Sequence, residues 1–127
     1  MLSRQRLKIK YFFLRLCRRG CFCMKNEDMQ IIKKMIKYCD DIGTLMARFN
    51  TDFERYKTDI SFQYSCNMCI IQIGELANRL SDETKESSSN IPWRAIRGMR
   101  NLHAHDYENV DMEIVWNTLR EDIPMLK

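Results

Sequence analysis

The chain is poor in the residues that break helices: its 127 residues include only 4 glycines and 2 prolines. A β-sandwich or barrel needs turn residues after roughly every 8–12 positions, so this composition argues against one. The chain also lacks an unbroken apolar run of about 20 residues, which a membrane-spanning helix requires. It does have nine methionines and long segments in which apolar residues recur at steps of three and four. We therefore predict a single all-α domain with a modest core.

Acidic residues are absent from residues 1–23, which contain 7 of the 21 basic residues. The other 14 basic residues face all 17 acidic ones, so residues 24–127 carry a net charge of −3. We expect residues 1–23 to be a disordered basic extension and the domain to span residues 24–127. An alternative is that the extension binds anionic membrane or RNA. The acidic balance of the domain means that any contact with nucleic acid must be local.

Six cysteines are present, but a helical domain with its own core does not need a disulfide framework, and no signal peptide is evident. We expect reduced thiols and a cytoplasmic protein with no membrane association. Cys66 and Cys69 form a C-x-x-C pair in an apolar helical segment, without a second pair. A spacing of three on a helix is more typical of one packed face than of a zinc or redox site.

The periodicity predicts a bundle of four to five helices. The first is capped by Asn26 and ends near Asn50, with its buried stripe at Ile32, Met35, Ile36, Cys39, Ile42, Met46 and Phe49. A short helix over 53–60, capped by Thr51 or Asp52, leads into an apolar helix over 61–80, which we expect to be central or at a subunit interface. Residues 81–90 are polar and predict an exposed loop. A last helix is capped by Asp111, buries Ile114, Val115, Leu119 and Ile123, and is closed by Pro124.

Residues 91–107 contain both histidines of the chain and a cluster of arginines. Pro92 suits the first turn of a helix that buries Trp93, Ile96 and Met99 and points its arginines, at positions 94, 97 and 100, elsewhere. Arginine binds phosphate oxygens and histidine transfers protons near neutral pH, so the cluster suits phosphate chemistry without a metal or other cofactor. On an ideal helix Arg100 lies about 60° from His103 and about 140° from His105. Helical geometry alone thus favours His103 as the partner of Arg100, and a surface charge cluster is the simpler alternative.

Residues 100–107, RNLHAHDY, resemble the R-x-x-x-x-H-x-Y motif of HepT toxins, which belong to the HEPN superfamily of helical ribonuclease domains. Ile73-Gly74-Glu75 in the long helix and Ile91-Pro92-Trp93-Arg94 before the motif also resemble that family's pattern. The resemblance covers about 24–127, which is consistent with a natural start at Met24.

The resemblance implies a two-fold dimer whose chains share one cleft, in which Arg100 binds the scissile phosphate, Asn101 orients it and His105 is the general acid or base. Tyr107 matches the tyrosine that the cognate MntA-type nucleotidyltransferase antitoxin modifies with AMP. His103 departs from the pattern and is interpreted as structural. Glu75 matches a glutamate of the family and either pairs with an arginine of the motif helix or is a solvated surface carboxylate. The implied function is a metal-independent endoribonuclease toxin acting on RNA. The alternative is a non-catalytic module that binds a nucleotide or the nucleotidyltransferase.

Overall fold

A computed structural model describes residues 25–89, 91–101 and 111–126, apart from the side chain of Met125. Within these ranges the regular structure is helical, and the elements are α1 (Asn26–Arg48), α2 (Phe53–Thr58), α3 (Ile60–Arg79), α4 (Asp82–Ser87), α5 (Trp93–Gly98), α6 (Met112–Asn117), a π-helix (Thr118–Asp122) and α7 (Ile123–Leu126). The predicted all-α bundle is confirmed. None of the helices in the described part of the chain is long and apolar enough to cross a lipid bilayer.

Five of the seven residues in the predicted stripe of α1 are buried, and Ile36 and Phe49 are partly buried against the same core. The first residue of α1 is Asn26, preceded by Lys25 at the cap position, so the prediction that Asn26 caps the helix is wrong by one residue. The helix stops at Arg48 because Asn50 and Thr51 take left-handed backbone angles, with φ of 57° and 49°. These angles reverse the direction of the chain, so that α3 runs antiparallel to α1.

An aspartate caps the start of each of the next two helices, α2 and α3. The Asp52 carboxylate accepts hydrogen bonds from the backbone N–H groups of Glu54 and Arg55, and Asp59 accepts one from Phe62. Each carboxylate satisfies donors that a helix start leaves unpaired. The predicted helix over 53–60 therefore ends at Thr58, and the long helix starts at Ile60.

The long helix α3 is central, packing against α1, α2 and α5. Its residues Phe62, Cys66, Ile70 and Ile73 are fully buried. At its N-terminal end, the Phe62 ring stacks on Phe49 with centroids 4.3 Å apart, and the Trp116 ring lies within 6.3 Å of Phe62. This aromatic contact attaches the C-terminal helices to the start of α3.

The segment predicted as a loop over 81–90 contains a helix, α4. The Ser81 hydroxyl accepts a hydrogen bond from the Thr84 N–H, and Asp82 and Glu83 occupy the first turn, where the helix dipole favours negative charge. The helix has little apolar surface, so hydrophobic periodicity could not reveal it.

The last helix begins as predicted, with the Asp111 carboxylate accepting from the N–H groups of Glu113 and Ile114. Val115, Leu119 and Ile123 are buried, but Ile114 is 53% exposed, which contradicts its assignment to the core. On an ideal helix Ile114 lies about 140° from the middle of the arc formed by Val115, Leu119 and Ile123, which places it outside the buried stripe. A π-helical turn follows at Thr118–Asp122. Pro124 lies inside α7 instead of closing the helix, and α7 continues directly from the π-helical turn because Ile123 keeps right-handed helical backbone angles.

Candidate active site

The start of the motif lies against the middle of α3. The stripe predicted for the motif helix is buried at Trp93, Ile96 and Met99, while Arg94 and Arg97 are exposed. The α-helix ends at Gly98, a turn follows at residues 99–100, and residue 101 is again helical. The long motif helix expected from periodicity is therefore interrupted at Arg100.

Gly74 allows this contact. A Cβ atom on Gly74 would lie 2.9 Å from the backbone nitrogen of Arg100, 3.1 Å from its Cβ and 3.2 Å from the carbonyl oxygen of Ile96. Two of these atoms belong to the backbone, which cannot turn away as a flexible side chain could. A glycine at this position thus brings the main chain at Arg100 directly onto α3.

The neighbouring residue of α3 reaches the Arg100 side chain. Arg100 Nη1 donates to Glu75 Oε1 at 3.5 Å, and the two side chains are 39% and 49% exposed. The predicted pairing of Glu75 with an arginine of the motif is confirmed, and the arginine is Arg100. Because a guanidinium has five N–H donors, Arg100 can contact Glu75 and still have donors for a phosphate.

Asn101 is described and exposed, immediately beside Arg100. The predictions for His103, His105 and Tyr107 concern residues that lie outside the described part of the chain. The structure thus gives the position of Arg100 and Asn101, and the roles of the two histidines and the tyrosine stay predictions.

A hydrogen-bonded network at one end of the bundle connects α1 to α5, and sequence analysis did not find it. The buried Asp28 carboxylate accepts from the Ser81 N–H at 3.1 Å, the Ser81 hydroxyl at 2.5 Å and the Thr84 hydroxyl at 2.6 Å. Ser88 donates to the Thr84 carbonyl and accepts from Trp93 Nε1 at 2.9 Å. The network therefore runs from the first turn of α1 to the first residue of α5, where one side of Trp93 is fixed.

Burial of Asp28 by itself would raise its pKa. The hydrogen bonds from Ser81 and Thr84, helped by the charge of Lys25, outweigh burial and hold the pKa of this carboxyl below its ordinary value. Asp28 therefore stabilises the fold as a carboxylate.

The cysteine pair of α3 belongs to the core. Cys66 and Cys69 are both buried free thiols. Burial, together with the neighbouring Cys69, raises the pKa of Cys66 to about 12, so this thiol is neither a nucleophile nor a ready metal ligand at neutral pH. Within the described ranges no group of three or more His, Cys, Asp or Glu side chains is arranged to hold a metal ion.

The all-α fold is consistent with a helical bundle of the HEPN superfamily. The sequence model of the family described as Ribonuclease HepT-like matches residues 30–127. The chain belongs to this HepT-like family.

Individual relatives agree with the family match. A Thermococcus cleftensis protein named "Probable ribonuclease HepT" is 33% identical over 95 residues, which are 71% of this chain and 86% of that protein. Two Methanocaldococcus jannaschii proteins, named "Putative RNase MJ1216" and "Putative RNase MJ0125", are each 27% identical over 103 residues, covering 81% of this chain and 84% and 87% of their own lengths. No solved structure gives a significant match.

Proposed function

We propose that this protein is a metal-independent endoribonuclease, the toxin of a HepT/MntA toxin–antitoxin pair acting in the cytoplasm. The observation that carries the proposal is the packing of Arg100 against α3: its main chain contacts Gly74, and its partly exposed guanidinium contacts Glu75. Membership of the HepT-like family and relatives with ribonuclease names support RNA as the substrate.

In the proposed reaction, the 2′-OH of the RNA attacks the adjacent phosphorus and the 5′-oxygen of the next nucleotide leaves. Arg100 binds the phosphate and stabilises the negative charge that grows on its oxygens in the transition state. Asn101, exposed beside it, orients the phosphate. His105 either removes the proton of the 2′-OH as general base or donates a proton to the leaving 5′-oxygen as general acid, and water takes or supplies the other proton; imidazole suits either role because it titrates near neutral pH. This set of groups includes no metal.

We further propose that two chains form a two-fold dimer with a shared cleft. The described surface of α3 supports this proposal, because Ile60, Tyr64 and Met68 lie one turn apart on one face and are 63%, 54% and 56% exposed. Apolar side chains aligned in this way commonly mark a protein interface. A partner chain would also allow Arg100 and His105 to meet in the cleft although they are far apart around one helix.

The cleavage assay uses purified protein, free of AMP, with a labelled RNA in excess EDTA. We expect cleavage that Arg100→Ala and His105→Ala each reduce by about 100-fold or more, with unchanged helical circular dichroism. Cleavage that survives both substitutions, or that EDTA stops, would contradict the proposal. A well-folded protein that binds the nucleotidyltransferase and cuts no RNA would instead be a non-catalytic binding module.

We propose Tyr107 as the site at which the MntA-type antitoxin neutralises the toxin. AMP on this side chain would add negative charge and bulk to the proposed cleft and repel RNA phosphates. Intact-mass measurement after incubation with the transferase and ATP should show addition of AMP together with loss of cleavage. Equal modification of the Tyr107→Phe variant would show that the AMP is attached elsewhere.

A further inference from the structure

The exposed side of α5 carries two arginines that the proposed chemistry does not use. Arg94 and Arg97 precede Arg100 by six and three residues and are both exposed. No acidic residue occurs in the sequence between Glu86 and Asp106. Arg94 and Arg97 also have no acidic partner within 4 Å in the described part of the chain, whereas Arg100 contacts Glu75. These two charges are therefore not neutralised by the described surface.

The opposite side of α5 is held firmly. Trp93 and Ile96 are buried, Trp93 Nε1 donates to Ser88 Oγ at 2.9 Å, and the carbonyl of Ile96 lies against Gly74. A helix fixed along its buried face holds the backbone of its outward residues at constant positions. Arg94 and Arg97 are one helical turn apart, a rise of about 4.5 Å, and the chain then continues directly to Arg100.

We propose that Arg94 and Arg97 form a phosphate-binding track that guides a single RNA strand to Arg100. This inference rests on the proposed function and adds the residues that bind the substrate away from the cleaved bond. Guanidinium groups bind phosphate oxygens in pairs of hydrogen bonds and do not distinguish bases, so the track binds the backbone whatever its sequence. Because residues 24–127 carry a net charge of −3, RNA needs a local cationic surface of this kind to approach the domain.

The test measures binding separately from cleavage. The probe is a fluorescent 2′-O-methyl oligoribonucleotide, which lacks the free 2′-OH and cannot be cut by the proposed reaction. Its anisotropy is titrated with the full-length protein at several KCl concentrations. We compare the wild type with the double variant Arg94→Gln/Arg97→Gln. Affinity falls as salt rises, and each lost phosphate contact should make the plot of log affinity against log salt less steep by about 0.7, hence by about 1.4 for the pair.

A matched control removes the same two charges elsewhere. Arg48 and Arg55 are exposed, and each guanidinium lies over the ring of Phe49, with centroid distances of 6.0 Å and 5.8 Å. Phe49 stacks on Phe62 near the start of α3, 12 residues before Gly74. That separation corresponds to about 18 Å along the helix. The double variant Arg48→Gln/Arg55→Gln should keep the wild-type salt slope.

We expect the Arg94/Arg97 variant to bind the probe about tenfold more weakly at low salt and to have a KM for cleavable RNA raised by a similar factor. A salt slope equal to that of the control variant, or loss of nucleotidyltransferase binding with unchanged RNA binding, overturns the track. If RNA binds through Arg94 and Arg97 but is not cleaved, the ribonuclease proposal is wrong and the track proposal stands. If the variant cleaves RNA with an unchanged KM, the track proposal is wrong and the ribonuclease proposal stands.

Discussion

Gly74 and Arg100 touch through their main chains: a Cβ on Gly74 would lie 2.9 Å from the Arg100 nitrogen. Gly74→Ala must therefore push the motif away from α3 by a few tenths of an ångström. We expect a loss of about 1–3 kcal/mol of stability from overpacking, offset by up to about 1 kcal/mol from the better helix propensity of alanine. Cleavage should fall by about tenfold or more, because phosphate chemistry is sensitive to small displacements of the catalytic group.

Gly43 provides the matched control, since it also lies inside a long helix, α1, and a Cβ there would meet nothing within 4 Å. Gly43→Ala should raise the free energy of unfolding by about 0.5–1 kcal/mol and leave cleavage unchanged. Urea unfolding and initial cleavage rates measure both effects. Equal behaviour of the two alanine variants would show that the close contact at Gly74 does not position Arg100.

The ion pair of Glu75 with Arg100 should matter more for activity than for stability. Both side chains are substantially exposed, so Glu75→Gln should change the free energy of unfolding by less than about 1 kcal/mol. The same change removes a restraint on the guanidinium and a negative charge near the substrate. We therefore expect kcat to fall several-fold and KM to fall as well, measured by steady-state cleavage.

Glu75→Asp separates these two effects because it keeps the charge and shortens the side chain by one methylene. It should lower kcat like Glu75→Gln but leave KM at or above the wild-type value. If the aspartate variant keeps full kcat, contact with Glu75 does not orient Arg100.

Much of the fold could be predicted from residue patterns alone. The stripe of α1 and the caps at Asp52 and Asp111 depend on local chemistry that a sequence displays directly. The misassigned Ile114 lies outside the arc that Val115, Leu119 and Ile123 share on an ideal helix, so a stricter use of the helical period leaves it out of the core. Helix α4 was missed because it has a cap signal at Ser81 but almost no apolar stripe that periodicity could detect.

The site was predictable only in part. The charge and position of Arg100 followed from its place off the buried stripe, and its pairing with Glu75 came from the family resemblance. The two residues are 25 positions apart, so only the packing of α5 on α3 brings them together. The close approach at Gly74 and the Asp28 network arise from the same tertiary packing, and single-sequence periodicity carries no information about either.

The Asp28 network makes stability depend on pH in a defined direction. Asp28→Asn replaces a buried carboxylate, which accepts three hydrogen bonds, with an amide and should cost about 1–3 kcal/mol at pH 7. Since the folded-state pKa of Asp28 is lowered, its stabilisation is complete above the ordinary value of about 3.9 and is lost as the pH falls through the folded-state pKa. Urea unfolding between pH 7 and pH 2.5 should therefore show the wild-type advantage shrinking only in acid.

Glu27→Gln is the control for Asp28, because Glu27 is the preceding residue and is exposed in the same first turn. It should lower stability by less than about 1 kcal/mol. A wild-type advantage over Asp28→Asn that stays constant down to pH 2.5 would show that the carboxylate form of Asp28 is not what stabilises the network.

The exposed face of α3 tests the proposed dimer. Met68 is 56% exposed between Tyr64 and Gln72, and Gln72 Nε2 lies 3.9 Å from its sulfur. A charge buried at an apolar interface has a large desolvation cost, so Met68→Glu should convert a dimer to a monomer in sedimentation velocity at micromolar concentration. Ala47→Glu, at an exposed apolar position on α1, should leave the dimer intact.

If the cleft is shared between chains, the Met68→Glu monomer should also lose cleavage while keeping its helical circular dichroism. A fully active monomer would instead show that one chain contains the complete site.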